Sequence, residues 1–209
     1  MANQIEGVRE RLLECATREF LEKGYAEASL RVIANEAQTN TSAIYVRFGD
    51  KAGMFSAIID DACDSFLKCY QENIDLFNET NGSRPVPEMI DYKLEKTKRL
   101  LDVIYTHYDA FKLLVSKAES GMFSDFLYKI AELECKQTVI YIENIHSDAI
   151  ASGRLSNDLM YTLSTAYWSG VFEIVSRDMS EEAAQDYLAW LRRFFICGWT
   201  DILLPKKEQ

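Results

Sequence analysis

The sequence predicts an all-α fold, and three observations support that prediction. Apolar residues recur at three- and four-residue steps along most of the 209-residue chain, which is the period of an amphipathic helix. Only three prolines and nine glycines interrupt these patterns, so long helices are allowed. No segment shows the apolar and polar alternation that is typical of a half-buried strand. We therefore expect about nine helices and no sheet.

The first three helices are expected close together at the N-terminus. Helix one should cover residues 3–23, and Gly24 stands where a residue with positive φ would end it. Ser29 is placed to cap a short second helix, and Asn40 to cap a third helix over residues 41–48.

Six longer helices should follow, with loops between them. We expect them at residues 51–78, 87–105, 108–118, 123–151, 158–177 and 181–203. Asp50 should cap the first of these, and Asn157 and Ser180 the last two. Residues 78–85 combine Asn, Thr, Gly, Ser and Pro, and they form the clearest predicted loop. Gly153 should close the helix at 123–151.

Composition excludes several classes of protein. No run of eighteen apolar residues is present, and the N-terminus lacks the apolar core of a secretory signal, so we expect a cytoplasmic protein with no membrane partner. The five cysteines show no C-x-x-C spacing and are expected to be buried, reduced thiols. With two histidines and no nucleophile–base motif, we predict no metal, no cofactor and no catalytic residues.

The segment between Ser29 and Lys51 carries the strongest functional signal. Leu30, Ile33, Ala34 and Ala37 form one helical face, Gln38-Thr39-Asn40 form a turn, and Ile44 and Phe48 lie one turn apart on the next helix. Two helices joined by a three-residue turn form a helix-turn-helix, whose second helix can enter a DNA major groove. On a helical wheel Ile44 and Phe48 face inward, whereas the opposite arc is free to face DNA.

These residues resemble the N-terminal motif of the tetracycline-repressor-like (TetR/AcrR) family of one-component regulators. The family pattern is T-x-x-x-I-A-x-x-A-G-V-S-x-x-x-L-Y-x-H-F-x-x-K, and the corresponding residues are Ser29, Ile33, Ala34, Ala37, Asn40, Ile44, Tyr45, Phe48 and Lys51. The resemblance implies a DNA-binding domain over residues 1–50 and an effector-binding and dimerisation domain over 51–209. Gln38 replaces the family glycine, so it either adopts a left-handed conformation at a cost of about 1 kcal/mol or the turn differs.

The expected DNA contacts lie mainly on the third helix. They are Ser29, Arg31, Thr41, Ser42, Ala43, Tyr45, Val46, Arg47 and Lys51. The resemblance implies phosphate contacts for Tyr45 and Lys51, while hydroxyls of Thr41 and Ser42 can reach phosphates or bases and Val46 a thymine methyl. Tyr45 could instead pack as a half-buried aromatic, and Arg47 could simply be solvated.

The charge of the chain bears on how DNA would be bound. The net charge is −10, but residues 1–51 contain seven basic and eight acidic residues, so the acidity lies mainly outside the helix-turn-helix. Because a long-range basic surface is missing, affinity must come from local contacts and from doubling the site in a homodimer on a palindromic operator. The resemblance places the dimer interface on the last two helices, at Leu159, Leu163, Tyr167, Gly170, Ile174, Trp190 and Phe194. At least half of the apolar residues on these helices should instead serve the chain's own core.

Aromatic residues are dense in the middle helices. The candidates for an effector pocket are Phe66, Tyr70, Tyr92, Tyr105, Phe111, Phe126, Tyr141 and Trp168. Such a stripe is more often core than pocket, but its size favours a large, mainly apolar or aromatic ligand, and no cluster of charges indicates a chemical class. The leading hypothesis is a repressor that a small effector releases from double-stranded DNA. The alternatives are a regulator that answers to a protein partner or acts as an activator, and an all-α enzyme or interaction protein that has lost DNA binding.

Overall fold

The computed structural model describes residues 2–81, 89–118 and 121–204, and it describes their side chains except at 2–6, 81 and 89–96. In this part of the chain nine helices follow one another and no strand is present. They are α1 (Ala2–Glu27), α2 (Leu30–Glu36), α3 (Thr41–Phe48), α4 (Lys51–Asn81), α5 (Met89–Thr106), α6 (Tyr108–Ser116), α7 (Met122–Asn144), α8 (Asn157–Ser176) and α9 (Glu181–Leu203). The predicted all-α fold is therefore confirmed, and none of the described helices combines the length and hydropathy that a bilayer crossing requires.

Most helix ends agree with the sequence, and their caps explain why. Gly24 has φ 75° and ψ 170°, which interrupts α1 near its end as expected. Asp50 Oδ1 accepts a hydrogen bond from the Gly53 N–H at 2.8 Å before the first turn of α4, and Ser180 Oγ accepts from Ala183 at the start of α9. The predicted loop at 78–85 begins later than expected, because α4 continues to Asn81. The rest of that loop lies outside the described residues.

The seventh helix is shorter than predicted. It ends at Asn144 rather than near residue 151, because His146 adopts φ 53° and the Ser147 N–H turns back to the carbonyl of Ile142 at 3.0 Å. The segment that follows is turns, yet Ala149 is fully buried and so continues the apolar period without a helix. The cap of α8 is Ser156, one residue before the predicted Asn157.

The chain divides into two compact units. The first unit contains Met1–Ser65 and Thr106–Phe123, and the second contains Phe66–Tyr105 and Ser124–Gln209. In the first unit α1 packs against α2 and α6, and α2 packs against α3. Phe111 of α6 is fully buried in this unit, and it is not among the residues that line the cavity of the second unit.

The second unit has an aromatic core. Phe66 is fully buried, and its ring lies 5.7 Å from that of Phe126, 5.6 Å from that of Trp168 and 5.6 Å from that of Phe172. Edge-to-face packing at these distances is favourable, so this cluster fixes the packing of α4, α7 and α8 inside the unit.

The cysteines match the prediction only in part. All five are thiols rather than disulfides, and Cys15 and Cys135 are buried. Cys197 is exposed on α9, which corrects the expectation of burial for that residue. Its helix therefore presents a face to solvent in the single chain.

Candidate nucleic-acid interface and cavity

The turn between α2 and α3 has the tight geometry of a helix-turn-helix. Gln38 adopts φ 54°, so this chain keeps the left-handed turn without a glycine. The N–H of Thr39 donates to the carbonyl of Ala34 at 2.9 Å, and Asn40 Oδ1 accepts from the Ala43 N–H at 3.0 Å. These bonds end α2 and start α3 within three residues, and they fix the direction of the third helix.

Replacing Asn40 by alanine should lower the free energy of unfolding by about 1 kcal/mol, because the cap bond to the Ala43 N–H is lost. Asn35→Ala is the matched control, since Asn35 is exposed inside α2 and alanine is the better helix former there. Urea unfolding followed by circular dichroism compares the two. Equal stabilities of the two variants would show that the Asn40 cap is not needed.

One face of α3 is buried and the opposite face is open. Ile44 is fully buried, whereas Tyr45 is 55% and Val46 83% exposed. Ser42 is also exposed, and Thr41 and Ala43 are half-buried beside it. Tyr45 and Val46 therefore present an exposed apolar surface on the face of α3 opposite Ile44.

The basic residues of this region differ in the contacts that their side chains make. Lys51 Nζ donates to the carbonyl of Ala26 at 2.8 Å and lies 5.2 Å from the centre of the Tyr25 ring. Arg47 folds back onto its own helix, with its Nη1 3.3 Å from the carbonyl of Ala43. Arg31 is exposed on α2. Of these three residues, Lys51 contacts residues outside its own helix, whereas the hydrogen bond of Arg47 stays within α3.

Ser29 has a structural role in addition to its predicted one. Its hydroxyl lies 3.5 Å from the Val32 N–H, and its own N–H donates to Glu19 Oε1 at 3.0 Å. Glu19 is buried, so this bond ties α1 to the start of α2. The role of Glu19 could not be predicted from the sequence, since an acid within an amphipathic helix normally indicates a solvated position.

The second unit contains a cavity of about 190 Å³. Side chains from α4, α5, α7, α8 and α9 line it, and aromatic rings predominate on its walls. Of the predicted pocket residues, Tyr70, Tyr141 and Trp168 are among the lining residues. This volume accommodates a molecule of about one aromatic ring, which is smaller than the large ligand expected from the sequence.

The other predicted pocket residues lie elsewhere. Phe66 and Phe126 are buried in the aromatic core behind the cavity wall. Tyr105 is half-buried and its hydroxyl donates to the carbonyl of Met179 at 2.7 Å. The side chain of Tyr92 lies outside the described residues. Burial alone cannot separate a cavity wall from the core behind it, so periodicity could not make this distinction.

Two charged residues line the same cavity, although the sequence indicated no cluster of charges. They are Glu134 on α7 and Arg192 on α9, and Arg192 is only 6% exposed. Glu134 Oε2 accepts hydrogen bonds from Ser164 Oγ and from Trp168 Nε1, at 2.5 and 2.8 Å. Neither was found from sequence, because a single acid and a single base in long helices resemble solvated positions.

Burial keeps the phenols of the cavity neutral. It raises the pKa of Tyr167 and of Tyr141 to about 12, and it raises that of Tyr70 well above its ordinary value. In the case of Tyr167 the charge of Arg192 opposes this shift. These hydroxyls therefore keep their protons near neutral pH.

The residues predicted for the dimer interface fall into two groups. Ile174 is fully buried, Gly170 lies against Leu191, where an added Cβ would come within 3.1 Å of its Cδ2, and Tyr167 lines the cavity. Ile174 therefore belongs to the chain's own core, which corrects its assignment to the interface, whereas Tyr167 and Gly170 are half-buried and their assignment stays a prediction. Leu159 and Leu163 are half-buried, and Leu159 packs on the core.

The second group is exposed. Trp190 is 69% and Phe194 76% exposed, one helical turn apart on α9. The guanidinium of Arg193 lies 5.5 Å from the ring of Trp190, and the Phe194 ring lies 5.6 Å from that of Phe195. Trp190 and Phe194 therefore form an exposed apolar surface on one face of α9.

Comparisons with known proteins agree with this geometry. Residues 12–58 match the family model described as bacterial regulatory proteins, tetR family. This segment includes α2, α3 and the first turns of α4. A sequence comparison with curated proteins found no significant match.

Solved structures with the same fold cover nearly the whole chain. A TetR-like transcriptional regulator from Rhodococcus sp. RHA1 superposes with a TM-score of 0.59 at 19% identity, covering 91% of this chain and 96% of its own. A protein from Syntrophomonas wolfei that is provisionally classed in the TetR family gives 0.59 at 17% identity, with the same coverage of 91% and 96%. The TetR-family transcriptional regulator PfmR from Thermus thermophilus gives 0.51 at 16% identity, covering 95% and 100%. Residues 12–58 are thus similar to the N-terminal segment of the bacterial regulatory proteins of the tetR family, and the chain shares its fold with these solved structures.

Proposed function

We propose that the protein is a ligand-responsive transcriptional repressor. It binds a palindromic operator as a homodimer, and a small effector in the cavity of the second unit releases it. The cavity is the observation that carries this proposal, because α4 and α8 both contribute to its walls. A filled core between these two helices would have favoured a regulator that needs no small ligand.

The DNA contact is assigned to the open face of α3. Tyr45, Val46 and Ser42 are exposed on that face, and the arc carries no acid that would repel phosphate. Lys51 lies at the first residue of α4, where the positive end of the helix dipole also favours an anion. In this assignment Tyr45 and Lys51 hold phosphates, and Ser42 and Val46 reach base edges.

The link between effector and DNA is assigned to α4. It is one continuous helix from Lys51 to Asn81, and Tyr70, Asn73 and Phe77 in its second half line the cavity. A ligand that binds better to one position of this helix shifts the population toward that position. Release follows if that position holds the two α3 helices of the dimer away from adjacent major grooves, which lie about 34 Å apart.

Tyr45→Ala and Lys51→Ala should each weaken binding to all DNA sequences, and Lys51→Ala should reduce the slope of log affinity against log salt by about one per recognition helix. Fluorescence anisotropy with an operator selected from random DNA, between low and moderate salt, measures both effects. Tyr128→Ala is the matched control, because Tyr128 is 59% exposed but lies in the second unit. Unchanged affinity and slope in the Tyr45 and Lys51 variants would contradict the docking.

Ligand response is tested by operator affinity with and without effector. Compounds of about one ring that raise the melting temperature of the protein are added to the operator complex. We expect at least one to lower the affinity for DNA. If compounds that bind the cavity leave operator affinity unchanged, the regulator answers to something other than a small ligand. A reporter gene behind the operator, with and without the protein, gives the sign of regulation.

A further inference from the structure

The cavity of the second unit contains a buried positive charge whose hydrogen bonding is incomplete. Arg192 on α9 is only 6% exposed, and it lines the cavity. Its Nε has no hydrogen-bond partner among the described residues. A buried guanidinium is costly unless its charge is compensated and its donors are used. A hydrogen bond with Tyr167 satisfies part of this side chain, and the Nε–H remains available for a further acceptor.

The acid in the same cavity does not supply that acceptor. Within the described part of the chain, no acid lies within ion-pair distance of Arg192. Glu134 is instead held by the neutral donors Ser164 Oγ and Trp168 Nε1. The carboxylate is thus hydrogen-bonded, whereas the guanidinium retains an unused donor. A ligand that completes the site brings negative charge to Arg192.

The remaining walls define the body of the ligand. Tyr70, Tyr141, Trp168, Phe195 and Trp199 give the cavity an aromatic lining. Its volume of about 190 Å³ is slightly larger than the roughly 150 Å³ of an engineered apolar cavity that accepts benzene. One aromatic ring with a small substituent therefore fits.

We propose that the effector is a single-ring aromatic anion of the carboxylate class, whose anionic group accepts hydrogen bonds from Arg192 while its ring lies against the aromatic walls. Planar guanidinium and carboxylate groups match in shape and pair through two parallel hydrogen bonds. A cationic ligand would meet the repulsion of Arg192 and leave its Nε without an acceptor. This inference rests on the proposed ligand response, and it specifies the chemistry of the ligand.

Binding of three probes to the full chain tests the proposal. Benzoate, benzamide and benzylammonium share one ring and differ in charge, and calorimetry or thermal shift measures their affinities. We expect benzoate to bind at least about tenfold more tightly than the other two, because only benzoate can form a charge-assisted hydrogen bond with Arg192. Equal or tighter binding of benzamide or benzylammonium would overturn the proposal.

Variants of two neighbouring arginines locate the charge that is responsible. Arg192→Met should remove the preference for benzoate without unfolding the protein, because replacing an unpaired buried charge with an apolar side chain is neutral or stabilising. Arg193→Met is the matched control, since Arg193 is exposed on the same helix, and it should keep the preference. Arg192→Lys should retain part of it, because lysine keeps the charge but loses the planar fork. A preference that survives in Arg192→Met would place the anion elsewhere and overturn the assignment.

Operator binding separates this inference from the proposed function. If a neutral or cationic compound binds the cavity and releases DNA, the repressor proposal stands and the anion assignment fails. If benzoate binds with the expected preference and operator affinity does not change, the site is correct and the ligand-response proposal fails.

Discussion

Replacing Phe20 by alanine should lower the free energy of unfolding of the first unit by roughly 3–5 kcal/mol and abolish DNA binding near physiological temperature. Phe20 is fully buried on α1, and its ring lies 5.1 Å from that of Phe55 in an edge-to-face arrangement. The Tyr25 ring packs against both, at 6.1 Å and 5.3 Å. The substitution leaves a cavity in an aromatic cluster that joins α1 to the start of α4.

The same cluster explains why stability and DNA affinity should fall together. Tyr25 also lies beneath Lys51, whose ammonium is 5.2 Å from the ring, so losing the cluster loosens a residue assigned to phosphate contact. Urea unfolding and operator binding measured on the same preparation test the link. Phe20→Leu, which retains more of the volume, should show a smaller loss, and Tyr128→Ala almost none. A loss below about 1 kcal/mol in Phe20→Ala would show that the cluster is not tightly packed.

The helix-turn-helix could be predicted from sequence because its signals are local. Capping by Asn40 and burial of Ile44 depend on residues within one or two turns, and both are observed. The left-handed Gln38 was left open, since a penalty of about 1 kcal/mol is small enough for the surrounding fold to overcome. Local chemistry therefore located the helix-turn-helix, whereas its DNA contacts stay predictions.

Features that depend on tertiary structure could not be predicted. The apolar period continues through Ala149, so the end of α7 at Asn144 is hidden unless the turn at His146 is known. Likewise, α6 follows α5 directly in sequence, but Phe111 belongs to the first unit. Helical periodicity shows which side of a helix is buried, and it does not show which neighbour covers that side.

The charges of the cavity illustrate the same limit. Glu134 and Arg192 lie 58 positions apart in the sequence, as their residue numbers show, and each has an ordinary helical context. Only the packing of α7 and α9 brings both to one cavity. The sequence therefore predicted an apolar effector, whereas the structure adds a charged group to the site.

Replacing Phe194 by glutamate should convert the proposed homodimer to a monomer and lower operator affinity by about a hundredfold or more. Phe194 and Trp190 are exposed on one face of α9 in the single chain, and a two-fold interface brings the same face of two copies together. An added carboxylate would then be buried in an apolar contact close to its symmetry mate. Because each half-site reads only a few base pairs, binding of a monomer loses the advantage of two linked sites.

The size of this effect should be separable from any loss of folding. Phe194 is 76% exposed, so the monomer should keep its helical circular dichroism and its binding of small ligands in the cavity. Tyr128→Glu places the same charge on an aromatic residue that is 59% exposed on α7, and it should remain a dimer with full operator affinity. Sedimentation velocity and anisotropy with full and half operators distinguish the two variants. If Phe194→Glu remained dimeric, α9 would not form the interface, and another surface would have to align the two α3 helices. A second helix-turn-helix would still be required, because a chain with a net charge of −10 has little long-range attraction to hold a single one on DNA.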